Sequence, residues 1–147
     1  MPDRDAYIES RFPQLSSYTI KSPIDDKYNC IAFAADDNTK WWWPKAPFYW
    51  PQDIPEKEDL DSFVACYKSI GYKECRLNSK FEKGYEKVAI FVDPNGIPTH
   101  VAKQDADGKG LWKSKLGRHM DIEHTLKGIS GTYSYGNVVV ILKRKVN

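Results

Sequence analysis

The chain has 147 residues, of which 41% are hydrophobic and 29% charged, and its 22 basic and 20 acidic side chains leave a net charge of +2. That length suits one domain, expected over 1–147 with a core at about 26–142, and needs neither metal nor disulfide staples. The charge balance argues against a nucleic-acid partner, which calls for a basic excess, and no run nears the roughly 20 apolar residues of a membrane span, so no membrane partner is expected.

In chain order, residues 1–28 read as irregular, broken by Pro13 and Pro23, with a short strand at Tyr18-Thr19-Ile20. The N-terminal Met-Pro-Asp-Arg-Asp carries acids and no apolar stretch behind it, unlike a signal peptide. The protein is therefore expected in the cytoplasm, or exported without a classical signal. Cys30-Ile31-Ala32-Phe33-Ala34-Ala35 forms a compact run of small and apolar residues. Asn29 before it is a good N-cap and Asp36-Asp37-Asn38 ends it, so it reads as a short buried helix.

Residues 41–51 hold Pro44, Pro47 and Pro51 and cannot be regular structure. A second helix is expected from a cap at Asp53 with Glu56 at the capping-box position. Leu60, Phe63, Val64, Tyr67 and Ile70 recur on one face, and Gly71 is the stop. The rest reads as β. Val88–Val92 turns through Asp93-Pro94-Asn95-Gly96 into Ile97–Gln104, Asp107–Gly110 turns into Leu111–Leu116, and Val138–Lys143 closes the chain. Helices first and an antiparallel meander after them make the expected class α+β.

Two residues in this pattern carry chemistry. Cys30 opens the first helix, where unpaired backbone N–H groups and the helix dipole favour a thiolate and could hold an oxyanion. His100 follows the tight turn on a strand 70 residues later, the placement a cysteine nucleophile needs for its base. The other cysteines, Cys66 and Cys75, lie on and after the second helix and read as packing residues. With no paired C-x-x-C spacing, neither metal nor other cofactor is expected.

Tyr28-Asn29-Cys30-Ile31-Ala32-Phe33-Ala34, His100-Val101-Ala102, Trp112-Lys113-Ser114-Lys115-Leu116-Gly117 and the later His124 together resemble a bacterial papain-like cysteine hydrolase group near the NlpC-type peptidoglycan amidases. The resemblance spans about residues 26–142. It implies a papain-like core in which the Cys-bearing helix packs on the antiparallel meander, with Cys30 as nucleophile and His100 as general base and later acid. The residue that orients the imidazole stands on the next strand in such sites. Ser114, Lys115 and Gln104 are the choices here, and Ser114 is preferred because a hydroxyl accepts an imidazole N–H whereas an ammonium cannot. His124 is a further candidate. The stretch Ile24-Asp25-Asp26-Lys27 lacks the oxyanion glutamine of papain, so backbone N–H groups with Tyr28 or Asn29 would take its place.

The aromatic loop directly follows the cysteine helix. Trp41 lies nearest that helix and is expected to cover it, while Trp42 and Trp50 flank the prolines and are expected to line a groove for a peptide or peptidoglycan-like substrate. The expected function is cleavage of an amide through a Cys30 acyl-thioenzyme. The alternative is a non-catalytic module of the same fold that holds a protein or glycan with its aromatic loop.

Overall fold

The computed structural model describes residues 4–131 and 134–146, the side chains from residue 6 onward. The elements are α1 (Arg4–Arg11), β1 (Thr19–Ile20), α2 (Cys30–Ala34), α3 (Leu60–Lys68), β2 (Lys73–Glu74), β3 (Tyr85–Val92), β4 (Pro98–Gln104), β5 (Trp112–Lys115), β6 (Asp121–His124), a 3-10 turn (Lys127–Ile129) and β7 (Asn137–Lys145). The strands form one sheet of order β1-β6-β5-β4-β3-β7-β2, every pair antiparallel. β3 to β6 form a meander, and β7 returns beside β3. The molecule is α+β.

Alternation along the strands divides the core into two layers. Val88, Ile90, Val101 and Leu142 face one side and pack with α2, α3 and the aromatic loop. Ala89, Phe91, Ala102, Trp112, Ile122 and Ile141 face the other and pack with Ile8, Phe12 and Leu15. The core thus reaches back well before residue 26. Residues 4–11 are helical, contrary to the irregular segment expected. Ile8 and Phe12, one turn apart, are both fully buried, and that burial holds a helix too short to persist alone.

The second helix starts later than the expected Asp53. Asp53 has φ 69, a left-handed turn conformation, and Asp59 is the true cap, its side chain accepting from Ser62 N at 2.9 Å. β2 and β6 were not expected, since each is too short to show an alternation of its own. The hairpin after β3 forms as its sequence dictates: Asp93 Oδ1 accepts from the N–H groups of Asn95 and Ile97, and Gly96 takes φ 79.

β4 and β5 share a single register pair, Lys103 with Lys113. The short α2 packs against both strands.

Candidate active site

Cys30 is the first residue of α2, and Asn29 caps it as expected. Asn29 Oδ1 accepts from Ala32 N at 3.1 Å and Trp42 N at 3.2 Å, while its amide nitrogen donates to Trp42 O at 2.8 Å. One side chain therefore starts the helix and pins the aromatic loop across it. Held by these three bonds, with one amide N–H to spare, Asn29 builds the frame of the site.

Cys30 is 8% exposed, and burial pushes its thiol up to about 11, against hydrogen bonds from the N–H groups of Val101, Cys30 and Ile31 and the charge of Lys115. The thiolate expected at a helix start is thus a neutral thiol at neutral pH. Desolvation of this buried sulfur outweighs what a helix of five residues supplies.

His100 is fully buried on β4. Its ring stacks on Tyr135 with centroids 3.9 Å apart and planes 4° apart, and meets Phe91 edge-on at 5.5 Å. It therefore belongs to the α1 layer, whereas Val101 next to it packs in the layer of Cys30. The Val101 N–H favours the Cys30 thiolate, and the helix that Cys30 opens packs against β4. No hydrogen bond joins Cys30 to His100: His100 Nδ1 is a buried nitrogen without a hydrogen-bond partner. Burial, reinforced by the charges of His124 and Arg11, pushes the His100 pKa well below the usual imidazole value, so the imidazole is neutral.

The other ring nitrogen is engaged. His100 Nε2 lies 2.8 Å from Ser114 Oγ, Ser114 Oγ lies 2.7 Å from His124 Nε2, and His124 Nδ1 lies 2.7 Å from the carbonyl of Thr125. Ser114 and His124 share the α1 layer with Trp112 and Ile122, one strand apart. Lys115, pointing the other way, is fully buried and donates to the carbonyls of Asp25, Tyr28 (2.9 Å) and Gly117 (2.7 Å). It clamps the chain that leads into Cys30. Gln104 stands apart, donating to the carbonyls of Ser79 and Gly110 at 3.0 and 3.1 Å.

Beside Cys30 lies a groove of about 290 Å³, bordered by Asn29, Trp41, Trp43 and Phe48 on one side and by Thr99, Gly117 and Tyr135 on the other. The tryptophans are the reverse of those expected. Trp42 and Trp50 are 6% and 8% exposed and belong to the core. Trp42 Nε1 donates to Asp37 at 2.9 Å, and Trp50 Nε1 donates to Pro55 O at 3.0 Å with its ring 5.3 Å from Phe63. Trp41 packs on Phe48 at 6.0 Å under the Arg118 guanidinium. Adjacent residues of an extended loop point to opposite sides, and the Asn29 clamp turns Trp42 inward. Tyr28 also leaves the groove: its ring lies 4.5 Å from Lys115 Nζ and borders a separate hollow with Ser22, Phe33 and Asp36.

Tyr135 is the site residue that the sequence hid. It sits in a turn framed by the bridge between Gly131 and Gly136, and Thr99 Oγ1 donates to its carbonyl. Gly136 has φ 87, and a Cβ there would collide with the carbonyl of Val92. That close approach sets Tyr135 over His100.

Cys66 is fully buried, its thiol pushed up to about 12, and Cys75 is half-buried with its thiol donating to Ile141 O at 3.5 Å. Among the described residues no group of three or more His, Cys, Asp or Glu side chains could hold a metal, and no helix is long and apolar enough to cross a membrane.

A profile described as Domain of unknown function (DUF7689) matches residues 19–143. No curated protein and no solved structure matches the chain.

Proposed function

The chain belongs to the DUF7689 family, and we propose that it is a cysteine hydrolase with a papain-like core that cleaves an amide through an acyl-thioenzyme on Cys30, with His100 as the base. The observation that carries this reading is the bare Nδ1 of His100, a buried basic nitrogen on the strand against which the Cys30 helix packs. Buried polar atoms are rarely left unpartnered without a use, and here the use is the thiol proton.

Both groups are neutral at rest, so attack and proton transfer go together. The Cys30 sulfur bonds to the amide carbon as its proton passes to His100 Nδ1. The carbonyl oxygen takes the negative charge against the N–H groups of Cys30 and Ile31. Collapse breaks the C–N bond, and the His100 proton leaves with the amine. Water then attacks the thioester as His100 takes its proton, the C–S bond breaks, the proton returns from His100 to the Cys30 sulfur, and the carboxylic acid departs. The groove walls are aromatic and uncharged, which favours an apolar acyl group such as that of a peptide with hydrophobic side chains over a carboxylate-bearing stem peptide.

The test is p-nitrophenyl acetate with peptide mass analysis. Acetyl should appear on Cys30, vanish in Cys30→Ala and form at least a hundredfold more slowly in His100→Ala. Equal acetylation of Cys30 with and without the imidazole sinks the proposal. A binding module of the same fold is the second reading. It is favoured by the high pKa of the Cys30 thiol, about 11, and the lack of a Cys30–His100 hydrogen bond. Its groove would hold an apolar peptide segment without cleaving it.

A further inference from the structure

The relay behind His100 ends on a group that can act in one way only. The carbonyl of Thr125 accepts and never donates, so His124 Nδ1, 2.7 Å away, carries a proton. His124 is 1% exposed, and burial lowers its pKa to about 4, so its other nitrogen is a lone pair at neutral pH. That lone pair, 2.7 Å from Ser114 Oγ, takes the serine hydroxyl hydrogen. A serine has one hydrogen to give, so toward His100, 2.8 Å away, its oxygen can only accept.

We infer that His124 is a positioning residue which, through Ser114, holds the proton of His100 on Nε2 and thereby makes Nδ1 the basic nitrogen. This rests on the proposed role of His100 for its catalytic meaning, but the tautomer itself is a property of the fold. Neutral imidazole in water populates both tautomers, and the wrong one would present an N–H where the base is needed. Ser114 alone does not choose, because a free hydroxyl donates as readily as it accepts. The choice comes from the Thr125 carbonyl, relayed across three strands.

Two near-isosteric variants separate positioning from packing. His124→Gln keeps an acceptor where Nε2 stood, so the Ser114 hydroxyl stays turned away from His100. His124→Asn keeps only the donor toward Thr125 and releases Ser114. Long-range ¹H–¹⁵N spectra of histidine-labelled protein at neutral pH report which His100 nitrogen is protonated. We expect the pure Nε2–H form in the wild type and His124→Gln, and a mixture, or the Nδ1–H form, in His124→Asn. Ser114→Ala, a smaller change, should give the mixture too and serves if the Asn variant fails to fold. The pure Nε2–H form persisting in Ser114→Ala or in a folded His124→Asn overturns the inference. Acetylation of Cys30 by p-nitrophenyl acetate should fall at least tenfold in His124→Asn and less than about threefold in His124→Gln. A wild type that never acetylates Cys30 defeats the hydrolase reading and leaves the tautomer to be judged by its spectra.

Discussion

The polar clusters buried on the two faces of the sheet nearest Cys30 and His100 differ in kind. On the α2 and α3 face the buried groups are full charges. Lys115 is wrapped by three carbonyls, and Lys103 Nζ meets Asp36 at 2.9 Å, Glu86 at 2.7 Å and Tyr72 Oη at 3.1 Å, with Arg144 joining the same carboxylates. On the α1 face the cluster around His100 is neutral, two imidazoles and a hydroxyl in a line, while the buried Lys87 of that face sits away from it against Glu82 and the carbonyls of Asn78 and Lys80. A buried charge persists only when surrounded by partners, which makes the first face a clamp. A neutral relay tolerates an open end, and the open end is His100 Nδ1. Cys30 lies in the layer of the clamp, beside a groove that Tyr135 of the other layer also lines, and in the proposed mechanism the relay serves it.

The largest effects should come from the face that holds the clamp and the loop. Trp50→Ala should cost about 3–5 kcal/mol, the range of a buried aromatic, whereas Trp41→Ala, on the groove, should cost less than about 1.5. Urea melts of the two variants measure this, and equal costs would erase the division between core and groove within the loop. Lys115→Met leaves the carbonyls of Asp25, Tyr28 and Gly117 without their donor. At about 1–3 kcal/mol per buried acceptor, some of it recovered by water, a loss near 3 kcal/mol is expected. A loss below about 1 kcal/mol would mean that the clamp is not structural.

Acid should act on the neutral cluster. The folded pKa of His124 lies below its unfolded value, so the unfolded chain takes up the proton first as pH falls. Its contribution is whole above pH 6.5 and lost progressively down to about pH 4, roughly 3 kcal/mol at ~1.4 per unit. His100 shifts in the same direction and adds to the loss. Glu86 on the charged face has its pKa lowered from 4.5 to about 2, chiefly by Lys103 against the cost of burial, and its contribution goes only at lower pH. Stability followed from pH 7 to 4 should therefore fall less steeply in His124→Gln. An unchanged slope would assign the acid sensitivity elsewhere.

The smallest effect concerns the groove at the junction of the faces. p-Nitrophenyl phenylacetate should acylate Cys30 roughly tenfold faster than the acetate, since burying a ring on aromatic walls gains at least about 1.4 kcal/mol. Phe48→Ala should narrow that preference and leave the melting temperature alone, because Phe48 is 43% exposed. Equal rates for the two esters would remove the groove from acyl recognition.

Much of the frame was legible because it is set locally. The Asn29 cap, the short helix from Cys30, the turn at Asp93–Gly96 and the strands around it follow from neighbours within a few residues, and the chain forms them. The choice of Ser114 used the strand position that the resemblance implies and the hydroxyl's capacity to accept, and a hydrogen bond joins it to His100. What the tertiary structure decided is which of several equivalent residues faces where. Trp41 and Trp42 are chemically identical, and only the Asn29 clamp, reaching across 13 residues, turns one inward. The α1 helix exists because a sheet formed from the rest of the chain covers Ile8 and Phe12. His124 joined the relay because β6 pairs with β5, bringing Ile122 opposite Ser114 and its own ring within reach of the hydroxyl. The Cys30 thiol is neutral for the same kind of reason. Helix position is written in the sequence, but desolvation depends on everything packed around the sulfur, and for Cys30 desolvation is the larger effect.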